Sequence, residues 1–204
     1  MLTVRRSVRL LAALLLLCCV LTLLPPTGAG AVAPIYFPQT GHHVPFDFSV
    51  FWLANGGLPQ FGYPLSEVFR ETLEDGKSYE VQYFERARFE RHPENAAPND
   101  VLLGQFGRRI HPADPAVAAQ PDARFFADTG HNVSGGFLTY WETNGGLPQF
   151  GLPLTEVFTE TLGDGKSYQV QYFERARFEY HPENTDPQYQ VLLGQFGRQI
   201  LAGR

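Results

Sequence analysis

The apolar residues ahead of Asn55 recur with the period of a helix. Phe48, Phe51 and Trp52 occupy positions i, i+3 and i+4, which places them on one face of a short helix. The pair Asn55-Gly56 then predicts the end of this helix, because both residues accept the left-handed conformation that follows many helices. The stretch 57–64 is rich in Gly and Pro and is predicted to be a loop.

Farther along the chain, apolar and polar residues alternate, which is typical of strands. Strands are predicted at residues 67–73, 79–84 and 88–92, with a further apolar segment at Val101–Leu103. Asp75-Gly76 is a predicted hairpin turn, because both residues tolerate positive φ. The pattern therefore predicts an α+β fold in which a short helix packs on an antiparallel β-meander or hairpins.

The whole pattern occurs twice in the chain with a nearly constant offset. The matching segments are Asn55–Gly62 with Asn144–Gly151, Gln82–Glu90 with Gln171–Glu179, and His92–Asn95 with His181–Asn184. A duplication this close predicts two tandem small units of the same fold. We expect the first unit at 34–111 and the second at 126–204, each folding independently. The linker at 112–125 is rich in Pro and Ala, which predicts an extended, semi-rigid spacer.

Residues 1–31 have the three-part pattern of a secretory signal peptide. Three arginines precede the uncharged run Leu10–Leu24, and small residues follow up to Ala31, where we expect cleavage. The alternative is an uncleaved N-terminal anchor, although the run is shorter than the ~20 residues that span a bilayer. The sequence thus predicts a secreted, extracellular protein with no membrane contact after cleavage.

Composition narrows the range of functions. The 204 residues carry a net charge of −5, with 16 basic and 21 acidic side chains. This balance lacks the basic surface of a nucleic-acid-binding protein. Cys18 and Cys19 both lie in the predicted signal peptide, and Met1 is the only methionine. A cleaved chain would have no thiol, which excludes disulfides, cysteine catalysis and thiolate metal sites.

Short motifs in both units resemble the LGFP repeat. In the first unit they are Phe61-Gly62-Tyr63-Pro64-Leu65-Ser66-Glu67, Asp75-Gly76 and Tyr83-Phe84-Glu85 with Arg88-Phe89; in the second they are Phe150-Gly151-Leu152-Pro153-Leu154-Thr155-Glu156, Asp164-Gly165 and Phe173-Glu174 with Phe178. Phe61 and Phe150 replace the leucine of the family, and Ala87 and Ala176 replace its hairpin glycine. The resemblance implies an exported bacterial protein that associates with the cell wall and is not a catalyst.

Several carboxylates and histidines are candidates for catalytic or metal-binding groups. The carboxylates are Glu85, Glu90, Glu94, Glu174, Glu179 and Glu183. A glycosidase needs two carboxylates facing each other across a cleft, but alternation with arginines explains these residues equally well as cross-strand ion pairs. His42, His92 and Glu94 lack the spacing of a metal site. We therefore predict no catalytic residues, no metal and no cofactor.

The aromatic residues suggest a ligand. Trp52 and Trp141 are predicted to lie in the core, on the inner face of the helix. Exposed tyrosine rings beside polar groups suit sugars, which present C–H faces and hydroxyl rims. The predicted ligand-binding residues are Tyr63, Tyr79, Tyr83, Arg88, Tyr168, Tyr172, Arg177 and Tyr180.

The sequence predicts a secreted, non-catalytic tandem-repeat module that binds cell-wall or extracellular polysaccharide. Two modules in one chain would gain avidity on a repeating polymer. An envelope protein–protein adhesion or structural module is the alternative, and a hydrolase acting on the wall is a third.

Overall fold

A computed structural model describes residues 34–204, which form one compact unit. The predicted signal peptide, residues 1–31, lies outside the described residues, as do Cys18 and Cys19. The first repeat contains β1 (Ile35–Phe37), β2 (His42–Val44), α1 (Phe46–Ala54), α2 (Gly57–Phe61), β3 (Phe69–Thr72), β4 (Ser78–Tyr83), β5 (Arg88–Arg91), β6 (Val101–Leu103) and α3 (Phe106–Ile110). The second repeat contains β7 (Arg124–Phe126), β8 (His131–Val133), α4 (Gly135–Thr143), α5 (Gly146–Phe150), β9 (Phe158–Thr161), β10 (Ser167–Tyr172), β11 (Arg177–Tyr180), a 3-10 helix (Pro187–Tyr189), β12 (Val191–Leu193) and α6 (Phe196–Ala202).

Each repeat is built on a four-stranded antiparallel meander, β3-β4-β5-β6 in the first and β9-β10-β11-β12 in the second. Val81 in β4 pairs with Phe69 on one side and Glu90 on the other. Val170 occupies the same place in the second repeat, opposite Phe158 and Glu179. A two-stranded hairpin, β1-β2 or β7-β8, precedes each first helix. The predicted α+β fold with antiparallel meanders is confirmed.

The first helix of each repeat follows the predicted pattern. α1 ends at Asn55, whose backbone N–H donates to the carbonyl oxygen of Phe51. Phe48 is fully buried and meets the ring of Phe89 edge-on, with the ring centres 5.8 Å apart. The inner face of the helix therefore packs on the sheet, as its spacing predicts.

The loop predicted over residues 57–64 begins instead with the short helix α2, so this part of the prediction is wrong. Gly56 and Gly57 have φ values of +96° and +55°, which reverse the chain directly after α1. Pro59 then falls in the first turn of α2, where the missing N–H has no helical partner to lose. Gly and Pro here separate two helices, and the same arrangement recurs at α5.

The turn between β3 and β4 forms where predicted. Gly76 has φ +79°, and the Asp75 carboxylate accepts a hydrogen bond from the backbone N–H of Lys77 at 2.9 Å. Asp75 itself does not have positive φ, so only the glycine uses the left-handed region.

Both tryptophans point inward from the first helix of their repeat. The indole nitrogen of Trp141 donates to the carbonyl oxygen of Gly151 at 3.1 Å, and that of Trp52 donates to Gly62 at 3.2 Å. Trp141 is buried, whereas Trp52 is half-buried. The guanidinium of Arg124 lies over the Trp141 ring at 4.8 Å, and the first repeat has no arginine at the equivalent position.

One apolar cluster contains residues of both repeats. Its buried members are Leu73, Tyr79, Val81, Tyr83, Phe106, Leu154, Tyr168, Val170, Tyr172, Phe196 and Ile200. Helices α3 and α6 contact each other, and α6 also contacts β4. At the end of α6 the guanidinium of Arg204 lies 5.4 Å from the centre of the Tyr83 ring; at the end of α3 His111 lies 4.5 Å from Tyr172. Each repeat thus covers part of the other's sheet, which argues against independent folding.

The linker runs along the second repeat as an extended segment. The backbone N–H of Asp114 donates to the carbonyl oxygen of Leu154 at 2.9 Å, and the backbone N–H of Val117 donates to the carbonyl oxygen of Gly130 at 2.8 Å. No helix or strand is present from residue 112 to 123, and β7 begins at Arg124.

Candidate functional site

The tyrosines of the central strands lie in the interior. Tyr79, Tyr83, Tyr168 and Tyr172 are each no more than 8% exposed. The prediction that Tyr79 and Tyr83 are partly exposed is therefore wrong, because the last helix of each repeat covers the sheet face from which they project. A buried ring presents no flat surface to a sugar.

The hydroxyl groups of these tyrosines already have protein partners. Tyr79 donates to Asp75 at 2.8 Å and Tyr168 donates to Asp164 at 2.7 Å. These hydrogen bonds, together with burial, raise the pKa of both phenols to about 12. In the same way the hydroxyl of Tyr83 donates to Glu71.

The two predicted arginines are parts of ion-pair networks. Arg88 is 1% exposed and contacts Glu90 at 2.7 Å and Glu74 at 3.0 Å. Burial alone would lower the pKa of the Arg88 guanidinium, but the Glu90 carboxylate and further partners raise it overall. Arg177 similarly contacts Glu179 at 2.7 Å and the Tyr172 hydroxyl at 3.0 Å. These guanidiniums hold the sheets together, and ligand binding by them stays a prediction.

Tyr63 and Tyr180 are the two predicted tyrosines that keep partial exposure. Tyr63 packs edge-on against Phe37, with ring centres 6.1 Å apart, and Tyr180 packs against the apolar cluster of the second repeat. The structure therefore does not bring the eight predicted residues together on one open face.

The carboxylates considered for glycosidase chemistry are engaged in ion pairs. Glu85 accepts from Arg198, Glu90 from Arg88, and Glu94 contacts His92 at 2.9 Å. A hydrogen bond to its own backbone and the contact with His92 lower the pKa of Glu94. Within residues 34–204, no group of three His, Cys, Asp or Glu side chains is arranged to hold a metal ion.

A cleft of about 570 Å³ lies between the two repeats. The first repeat forms one wall with α1, the C-cap of α1 and the segment 97–103; the α1 and C-cap residues are Phe46, Asp47, Val50, Phe51, Ala54 and Asn55. The second repeat forms the other wall with Gly145, Pro148, Gln149 and Arg175. This volume is typical of sites that bind small molecules or short polymer segments, and such sites combine apolar walls with a few polar groups. We define these residues as the inter-repeat cleft.

The outer face of α1 forms the apolar wall of the inter-repeat cleft. Phe46 is 51% exposed and Val50 is 47% exposed, and Leu53 lies one turn beyond them. These residues occupy positions i, i+4 and i+7, which is a second apolar face on the same helix. The second repeat has Gly, Thr and Glu at the equivalent positions of α4. This unpaired apolar face is the signal by which the sequence alone indicates a site.

Charged side chains cross from one repeat to the other beside the cleft. Glu174 contacts Arg108 of the first repeat at 2.6 Å, while its own neighbour Arg175 is 3.7 Å away. Glu85 is likewise paired with Arg198 of the second repeat, and Arg86 lies 3.9 Å from it. Each carboxylate is therefore shared by two guanidiniums, and this junction carries excess positive charge in a protein of net charge −5.

A small cavity of about 20 Å³ sits at the same junction. It is lined symmetrically by Gln60, Phe61, Arg86, Ala87, Leu103 and Gly104 of the first repeat and by Gln149, Phe150, Arg175, Ala176, Leu193 and Gly194 of the second. Gln149 and Arg175 line both this cavity and the inter-repeat cleft. Arg175 therefore stands where the two spaces adjoin.

The guanidinium of Arg175 is only partly satisfied by the protein. Its Nη1 donates to the carbonyl oxygen of Leu147 at 3.3 Å, and its buried Nε has no hydrogen-bond partner among the described residues. Burial lowers the pKa of this guanidinium, an effect that the nearby Glu174 and Glu90 carboxylates oppose only in part. An additional anion would stabilise the charge.

Neither a protein-family model nor a curated protein matches the chain. The resemblance to the LGFP repeat therefore stays a prediction. Across residues 34–204 no helix is long and apolar enough to span a membrane.

Proposed function

We propose that the chain is a secreted, non-catalytic module that binds a polysaccharide of the cell envelope or its surroundings in the inter-repeat cleft. The observation that carries this proposal is the cleft itself, which joins exposed apolar side chains of one repeat to polar side chains of the other. The burial of the central tyrosines moves the proposed site away from the sheets, where the sequence predicts it.

The lining of the cleft suits a sugar chain. The exposed Phe46 ring provides an apolar surface for sugar C–H groups. Asn55, Asp100 and Gln149 provide amide and carboxylate groups that accept or donate hydrogen bonds to hydroxyls. The cleft is already formed between two repeats that share an apolar cluster, which limits the ordering cost of binding.

A protein partner is the second candidate, and one observation favours it. Leu53 is 63% exposed on the outer face of α1, next to the cleft-lining Val50. An exposed apolar stripe of this kind is typical of protein interfaces. Binding to wall proteins and not to protein-free glycan would support this second function.

Co-sedimentation of the purified full chain with protein-free wall polysaccharide tests the proposal. We expect wild-type protein to bind and Phe46→Ala to bind about tenfold more weakly, because a buried phenylalanine side chain contributes about 1.5 to 3 kcal/mol. Phe46 is half exposed, so its removal leaves folding nearly intact.

Tyr36→Ala is the matched control, because Tyr36 is 53% exposed and lies outside the cleft. It should bind the polysaccharide like the wild type. Release of soluble sugar during the incubation would contradict the non-catalytic assignment, and equal losses in both variants would contradict the location of the site.

A further inference from the structure

We propose that the polysaccharide carries oxyanion groups and that Arg175, where the inter-repeat cleft adjoins the small cavity, binds them. This inference rests on the proposed function and adds the chemical class of the ligand. Carboxylate and phosphate share the relevant chemistry, since both accept paired hydrogen bonds from a guanidinium.

The first support is the charge balance around Arg175. Its nearest carboxylate, Glu174, is 3.7 Å away and is already held by Arg108 at 2.6 Å and by the backbone N–H of Leu152 at 3.1 Å. Glu90 also faces this region, but both of its oxygens contact the first repeat, through Arg88 and His92. No carboxylate of the described residues is therefore dedicated to Arg175.

The other charged groups in the cleft restrict how an anion can bind there. Asp47 is paired with Arg91, whose Nε donates to it at 2.7 Å, and the same guanidinium is also paired with Glu80. Asp100 lines the cleft as a carboxylate and would repel an anion placed beside it. A sugar ring resolves this conflict, because its hydroxyls can donate to Asp100 while its anionic substituent faces Arg175.

The second support comes from the duplication. Arg86 is the equivalent of Arg175, with its Nη1 bound to Leu58 at 3.3 Å and its Nε equally without a partner among the described residues. Arg86 lines the small cavity, but it does not line the inter-repeat cleft. Only one of two nearly identical guanidiniums thus reaches the apolar cleft, which makes Arg86 a matched control.

The test measures binding of the full chain to wall polysaccharide in three forms: untreated, with carboxyl groups reduced to alcohols, and with phosphodiesters removed by hydrofluoric acid. We expect the treatment that removes the relevant anion to weaken wild-type binding about tenfold at low salt. Arg175→Gln should weaken binding to untreated polysaccharide by the same factor, and it should remove the difference between untreated and treated material. Arg175→Lys should retain part of the preference, and Arg86→Gln should behave as the wild type.

Two results would overturn the inference while leaving the proposed function in place. One is wild-type binding that is unchanged by both treatments and by Arg175→Gln. The other is an equal loss in Arg175→Gln and Arg86→Gln accompanied by lower melting temperatures, which would assign both guanidiniums a structural role. If the wild type binds none of the three preparations, the proposed function fails first, and the inference fails with it.

Discussion

Replacing Gly197 by alanine probes the contact between the two repeats. Gly197 lies in α6 of the second repeat, and a Cβ atom there would stand 1.8 Å from the backbone carbonyl oxygen of Phe84 in the first. Gly107 in α3 mirrors this geometry, with a Cβ only 1.7 Å from the carbonyl oxygen of Phe173. Both obstacles are main-chain atoms, which cannot rotate away.

The size of the effect follows from these distances. Nonbonded heavy atoms normally approach to about 3.5 Å, so the helix must withdraw by about 1.7 Å to admit the methyl group. Such a movement stretches the hydrogen bond from the Arg198 N–H to the Glu85 carbonyl oxygen, now 3.1 Å, and opens the shared apolar cluster. Overpacking of this kind costs about 1–3 kcal/mol or more. We expect at least about 3 kcal/mol for Gly197→Ala, a large part of the 5–15 kcal/mol that stabilises typical domains.

Urea unfolding followed by tryptophan fluorescence measures this loss. Gly136→Ala in α4 is the control, because its Cβ would meet only Val191 at 4.0 Å, and alanine in a helix stabilises by up to about 1 kcal/mol. Gly197→Ala should shift the midpoint to lower urea while Gly136→Ala leaves it unchanged or raises it. A wild-type midpoint for Gly197→Ala would refute the placement of α6 against the first repeat.

Three further predictions follow from the same packing. Residues 34–111 and residues 112–204, expressed separately, should each lack a cooperative urea transition, because each part loses the last helix of the other repeat. Mixing the two parts should restore a cooperative transition. A cooperative transition in either part alone would contradict the shared apolar cluster. Trp141→Ala should lower the free energy of unfolding by about 3–5 kcal/mol, because Trp141 is buried. Trp52→Ala should lower it by less, because Trp52 is only half-buried. Urea titration followed by circular dichroism measures both values. Folding raises the pKa values of Tyr79 and Tyr168 to about 12. The stabilisation that these two phenols give the folded state is therefore complete below pH ~10, which is the pKa of tyrosine in the unfolded chain, and is lost as the pH rises towards 12. In urea titrations, the double variant Tyr79→Phe/Tyr168→Phe should lose less stability between about pH 10 and 12 than the wild type. An equal loss of stability in both proteins would exclude these two phenols as its source.

Local signals in the sequence predict the elements of each repeat. The spacing of Phe48, Phe51 and Trp52 predicts α1, and the Asp75-Gly76 turn places β3 and β4, because helix period, strand alternation and turn chemistry are properties of neighbouring residues. The error at α2 arose where Gly and Pro, which usually end regular structure, begin a second helix.

Long-range packing could not be predicted in the same way. Alternation in β4 shows that Tyr79 and Tyr83 share a face with Val81, but it does not show what covers that face. The cover comes partly from α6, which is more than a hundred residues away in the chain. The inter-repeat cleft has the same origin, since its two walls belong to different repeats and only the apolar outer face of α1 marks it in the sequence.

The two repeats agree where they meet and differ where the cleft opens. Gly107 and Gly197, and likewise Glu85 and Glu174, play identical parts at the junction, so both repeats retain the residues that packing requires. The outer face of the first helix does not pack against the other repeat, and its residues differ between the two copies: Phe46 in α1 corresponds to Gly135 in α4. Because the inter-repeat cleft has no apolar counterpart on the outer face of α4, we expect one ligand site in the described part of the chain. The avidity expected from two equal modules would then require several copies of the protein on one polymer, and titration against a short glycan should show a single site.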